Sequence, residues 1–112
     1  MLDHQAKLLD LLRQCHVNNT APDEVVAEFE RFVTENVDCC ERSLSVGHIT
    51  GSAWLVSRDG ERALLMHHRK LNRWLQPGGH ADGSSDLAQV ALREAEEETG
   101  LINLQVFPEI FD

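Results

Sequence analysis

Apolar residues recur at helical spacing twice in the first third of the chain. Between Leu2 and about Val17, Leu8, Leu9, Leu11, Leu12 and Cys15 make a broad stripe along one side of a helix. The polar run Asn18-Asn19-Thr20-Ala21-Pro22 interrupts it, with Thr20 or Ala21 before Pro22 marking a new start. A second helix is predicted over Asp23 to Val37, with Val25, Val26, Phe29, Phe32 and Val33 on its apolar face. Residues 1–40 therefore read as a helical hairpin. Stripes of this kind usually pack, here as a cap on the rest of the protein or as a dimer surface, with a share in substrate selection as the alternative.

The pattern then shortens. Gly47 to Val56 is rich in β-branched and aromatic residues and runs into a turn at Asp59-Gly60. Arg62 to His68 reads as the returning strand, so the two are predicted to pair as a hairpin. Arg69 to Trp74 is a polar loop, and Trp74-Leu75-Gln76-Pro77-Gly78-Gly79 a short extended entry to the glycine-rich loop Gln76 to Gly83. A third helix is predicted from Ser84/Ser85 to Thr99, closed by a left-handed Gly100. Ile102 to Phe107 alternates as one more strand. The switch from helical to mixed pattern falls near Glu41-Arg42, which divides the chain into residues 1–40 and 41–112. No internal repeat or low-complexity segment is present.

Composition changes this picture little, and charge changes it more. At 112 residues, 42% hydrophobic and 26% charged, the chain has the size and make-up of one ordinary globular domain. A net charge of −9 argues against a nucleic-acid partner. No apolar run approaches the roughly 20 residues that span a bilayer, and acidic and polar residues interrupt the N-terminus from Asp3 onward, unlike a signal peptide. The expectation is a cytoplasmic protein with no membrane partner. Cys15, Cys39 and Cys40 fit neither a zinc knuckle nor a redox motif, and are expected to be reduced, partly buried thiols.

The acidic residues are not evenly spread. Four glutamates fall within Glu94 to Glu98, and a helix there puts Glu94, Glu97 and Glu98 on one face within a single turn. Like charges so placed repel, and a bound hard cation such as Mg²⁺ or Mn²⁺ is the simplest compensation.

With its lead-in, this segment resembles the Nudix hydrolases. Their signature, G-x5-E-x7-R-E-U-x-E-E-x-G-U with U aliphatic, begins at Gly79 and runs without a gap through Arg93-Glu94, Glu97-Glu98 and Gly100 to Leu101. Two positions depart from it. Ser85 replaces the first glutamate, a carboxylate that often sits near the metals, and Ala95 the first aliphatic; Asp82 and Asp86 lie close enough to substitute for the lost carboxylate.

The resemblance implies an α/β/α sandwich around a mixed sheet. With about 65 residues after the hairpin, the C-terminal part of that fold is expected to be absent, and an exposed sheet edge would then favour a homodimer. It also implies metal-dependent hydrolysis of a phosphoanhydride bond in a nucleoside diphosphate linked to another moiety. Glu94, Glu97 and Glu98 would hold Mg²⁺ or Mn²⁺, helped by a carbonyl at Gly78 or Gly79, with the alternative that one of the three instead takes a proton from the attacking water. Arg93, four residues before Glu97, would orient that carboxylate. The alternative is a nucleotide-binding or regulatory protein of the same fold with little or no hydrolysis, which Ser85 favours.

Other candidates carry weaker signals. His67 and His68 are adjacent on a strand, so one should face inward and one outward. His80 follows the two glycines and is a candidate substrate or metal contact. Arg69, Lys70 and Arg73 cluster in an acidic chain, which reads as a solvated loop or, for Arg69 and Arg73, as substrate phosphate contacts. Trp54 and Trp74 are expected to pack in the core or at an edge rather than to stack on a base.

Overall fold

The computed structural model describes residues 1–17 and 21–106. Its elements are α1 (Asp3–Val17), α2 (Asp23–Glu35), six short strands, β1 (Thr50–Ser52), β2 (Leu55–Val56), β3 (Ala63–Leu64), β4 (Met66–His68), β5 (Arg73–Leu75) and β6 (Gly78–His80), and finally α3 (Leu87–Thr99). No helix among the described residues is long and apolar enough to cross a membrane.

The helical hairpin forms. Leu8 and Cys15 are buried on α1, and Val26 and Val33 on α2. Gln5 is buried between the helices, where its amide donates to the Val33 carbonyl at 2.9 Å and its Oε1 accepts from the Leu2 N–H. A buried amide so satisfied ties α1 to α2 rather than weakening the core. The apolar face of α2 is narrower than its sequence implies, because Val25 and Phe29 remain exposed. Leu8 and Val33 share one cluster with Cys39, Cys40, Ile49, Ala81 and Val90, and Leu12, Phe32 and Leu87 pack around it. The hairpin thus completes the core under the strands and α3. All three cysteines are buried, and burial raises the Cys39 thiol and pushes Cys40 up to about 12, so neither of these two is a reactive thiolate at neutral pH.

The strands differ from the simple hairpin. The stretch Gly47 to Val56 changes partner at Ala53-Trp54: β1 pairs with β6 (Thr50↔His80, Gly51↔Gly79, Ser52↔Gly78), and β2 pairs with β3 (Leu55↔Leu64, Val56↔Ala63). The predicted pairing across Asp59-Gly60 is therefore correct for β2 and β3. The returning strand divides too, and β4 turns back on β5 (His67↔Trp74, His68↔Arg73). The described residues form three antiparallel ribbons, and no mixed sheet joins them.

Without a covering layer, both tryptophans stand in solvent, Trp54 at 58% and Trp74 at 67% exposure, against the expectation that they pack. Residues 102–106 form no strand, because Asn103 adopts a left-handed φ of 61° that breaks the extended backbone; Phe107 lies outside the described residues.

Candidate metal and phosphate site

The helix α3 begins at Leu87, later than Ser84/Ser85, because Asp86 takes the capping position and its carboxylate accepts from the Gln89 N–H at 3.3 Å. Its end is as expected: Gly100 has φ 73° and its N–H bonds to Glu96. Between these ends α3 lies on β1 and β6.

Two paired glycines permit that approach. A Cβ on Gly51 would stand 2.9 Å from Val90 Cγ1, and one on Gly79 would stand 2.6 Å from the Glu94 carboxyl carbon. Val90, Glu94 and Glu98 are spaced i, i+4, i+8, so one seam of the helix follows the ribbon. Val90 fills the space over Gly51, and Glu94 sets its carboxylate against Gly79. Glu98 accepts from the Gly78 N–H and meets the Glu94 carboxyl. Removal from water, then the nearness of Glu94 and Glu97, holds Glu98 above the usual carboxylate range, and the Gly78 N–H offsets this only in part.

The seam separates the predicted trio. Glu94 turns in and is half-buried, while Glu97 points to solvent. Among the described residues no group of three or more His, Cys, Asp or Glu side chains is gathered closely enough to hold a metal ion. The contact made by Gly78 is its N–H, donated to Glu98. Arg93 does not orient Glu97: its guanidinium donates to the His80 carbonyl at 3.4 Å and lies 3.6 Å from Glu94 Oε1. The reason is geometric: the His80 carbonyl of β6 and the Glu94 carboxylate stand on the packed side of α3, whereas Glu97 is exposed. Asp82 and Asp86 do not replace the carboxylate lost at Ser85. Asp82 is held bidentately by Arg42 at 2.9 and 3.0 Å, which keeps its carboxyl below the usual range, and Asp86 caps the helix. The crowded all-oxygen donors at Glu94 and Glu98 nevertheless suit a hard divalent cation, which would relieve the repulsion that now favours a proton on Glu98.

The basic candidates divide. Arg69 and Arg73 lie exposed on the β4–β5 ribbon, whereas α3 packs on β1 and β6, so these arginines are not brought to the glutamates. His67 and His68 are both exposed, against the expected split, because neither face of that ribbon is covered. His67 Nε2 meets Asn72 Oδ1 and its ring stands edge-on to Trp74, and His68 Nδ1 accepts from the Leu71 N–H. His80 is on β6 beside Gly79. Its ring stacks on His48 with centroids 5.1 Å apart, and His48 Nε2 lies 2.9 Å from His80 Nδ1. The sequence reading did not single out His48 or Arg42. For His48 the one available signal was its step-of-two spacing from Thr50 and Ser52. Elsewhere, a cleft of about 480 Å³ lined by Leu55, Val56, Leu64, Leu65, Leu101 and Leu104 contains none of the predicted site residues.

The site is thus a seam of glutamates on a helix that lies over a glycine pair and is closed by the left-handed Gly100. The family model for the NUDIX domain matches residues 48–112, and the chain belongs to that family. Its members are generally pyrophosphohydrolases that use divalent metals and take nucleotide-type substrates. No curated protein and no solved structure matches the chain significantly.

Proposed function

We propose that the chain hydrolyses a phosphoanhydride bond in a nucleoside diphosphate linked to another moiety, with Mg²⁺ or Mn²⁺ as cofactor. The observation that carries this reading is the Glu94–Glu98 contact beside Gly78 and Gly79, where two carboxylates are crowded against backbone that lacks side chains. Glu94, Glu97, Glu98 and Gly78 are the residues assigned to the cation, which when bound neutralises phosphate charge and acidifies water. Arg93 fixes the Glu94 carboxylate from one side and Gly79 leaves room for it on the other. The Gly78 N–H holds Glu98, and one of the three glutamates takes the proton of the attacking water. His80, next to Gly79 on β6, is assigned to substrate phosphate. Arg69 and Arg73, on a separate ribbon, are left out of this reading.

A second reading, a nucleotide-binding NUDIX protein with little hydrolysis, is favoured by Ser85 and by the outward turn of Glu97. Phosphate release from a panel of nucleoside triphosphates, nucleotide sugars, dinucleoside polyphosphates and ADP-ribose, with and without Mg²⁺, separates the two. Metal-dependent release supports the hydrolase. Nucleotide binding without release supports the second reading and overturns the first.

A further inference from the structure

We propose that His48 and His80 together form a phosphate-binding subsite on the open face of the β1–β6 ribbon, taking a phosphoryl group of the nucleotide substrate. The inference rests on the nucleotide reading above and extends it to His48. Gly51 and Gly79 face α3, so alternation turns Thr50, Ser52 and His80 to the opposite side, with His48 one step further along the same row. This face is polar and accessible: Thr50, Ser52 and His80 are exposed, and Gly78 adds no side chain. The β4–β5 ribbon exposes Trp74 and Leu75 instead.

The ring geometry supplies the donors. The contact between His48 Nε2 and His80 Nδ1 uses one nitrogen of each ring, and no described residue occupies His48 Nδ1 or His80 Nε2. Whichever ring holds the shared proton, one of these two outer nitrogens is an N–H donor. Nearby charge favours an anion. Arg42, His80 and Arg93 all act on Asp82, whose two oxygens are already taken by Arg42. Arg93 is engaged by the His80 carbonyl and Glu94, which leaves the histidine pair to supply the donors on this face in a chain of net charge −9. The subsite also adjoins the glutamates, because His80 follows Gly79 on the same strand. The imidazoles and Glu94 lie on opposite faces of the ribbon, so a polyphosphate would pass round the edge of β6 not paired with β1 to run from the imidazoles toward Glu94.

The test is isothermal titration with inorganic pyrophosphate and with inorganic phosphate, both in excess EDTA so that the carboxylate site contributes nothing. The full chain should bind pyrophosphate, and His48→Ala and His80→Ala should each weaken binding by roughly tenfold, as expected for a lost hydrogen bond to a charged group. The double variant should be little worse than either single one, since the rings act as a unit. His48→Gln, which can still hydrogen-bond to His80 but removes the outer ring nitrogen at position 48, guards against a folding defect and should weaken binding with an unchanged melting curve. Pyrophosphate should also shift the ¹⁵N resonances of His48 Nδ1 and His80 Nε2. Equal affinity for inorganic phosphate would mean a free-anion site, and this outcome overturns the substrate assignment. Absent binding, or binding unaffected by His48→Gln, overturns the subsite. Glu97→Gln should leave this binding intact, so failure of the hydrolase reading and failure of the subsite are read separately.

Discussion

Replacing Gly79 with alanine separates the two things this glycine does. The added Cβ would lie 2.6 Å from the Glu94 carboxyl carbon and 2.8 and 2.9 Å from its oxygens. To regain ordinary contact the carboxylate must retreat by about 0.8 Å. It is the far end of a flexible side chain, so it can do so without moving backbone. The stability change should stay within about 1 kcal/mol, helped by the reduced freedom of the unfolded chain when glycine becomes alanine. Activity is less forgiving, because a displacement of this size at a reacting centre costs up to about a hundredfold. Gly51→Ala is the matched control. Its Cβ would meet Val90 Cγ1 at 2.9 Å and the Leu87 carbonyl at 3.1 Å, and the second of these is backbone that cannot swing aside. That variant should lose about 1–3 kcal/mol by overpacking. Metal-dependent phosphate release and thermal melts by circular dichroism measure both effects. Full turnover in Gly79→Ala, or a melting loss as large as that of Gly51→Ala, would refute the argument that the paired glycines exist to seat Glu94.

Glu97→Gln should abolish metal-dependent turnover with an unchanged melt, since Glu97 is exposed and the change removes charge without altering shape; Arg93→Ala should weaken turnover less completely, and unaltered turnover in Glu97→Gln sinks the cation assignment. Glu98 has a raised pKa in the folded protein, so its protonation favours folding below the ordinary glutamate pKa, and that contribution is lost as pH rises through the raised value. In EDTA, Glu98→Gln should therefore melt higher than the parent near about pH 7, with the gap closing toward about pH 4; a gap independent of pH counts against it. Asp82 has the opposite sign. Arg42 lowers its pKa, so its stabilisation is present above the ordinary aspartate value and disappears as pH falls through the depressed one, and Asp82→Asn should flatten the acid limb of the melting profile. Leu8, 2% exposed in the shared cluster, should cost about 2–5 kcal/mol when cut to alanine, and a negligible loss in urea unfolding would show that the hairpin is not part of the core.

The chain's own letters determine whatever is settled within a few residues. The helices α1 and α2, the turn at Asp59-Gly60 and the left-handed Gly100 follow from local periodicity and backbone preference and are found where the sequence places them, although Val25 and Phe29 of the α2 stripe stay exposed. The spacing that makes Glu94, Glu97 and Glu98 neighbours is of the same kind. Tertiary structure decides which side of each element is covered. The Gly51–Gly79 pairing selects the seam Val90, Glu94, Glu98, turning Glu94 in and Glu97 out, and draws Arg93 toward Glu94 instead of Glu97. The contacts His48–His80 and Arg42–Asp82 join residues 32 and 40 positions apart, which no local pattern encodes. The exposure of Trp54 and Trp74 has the same origin. Hydrophobicity states what a side chain prefers, but only the arrangement of distant strands determines whether a second layer is there to cover it.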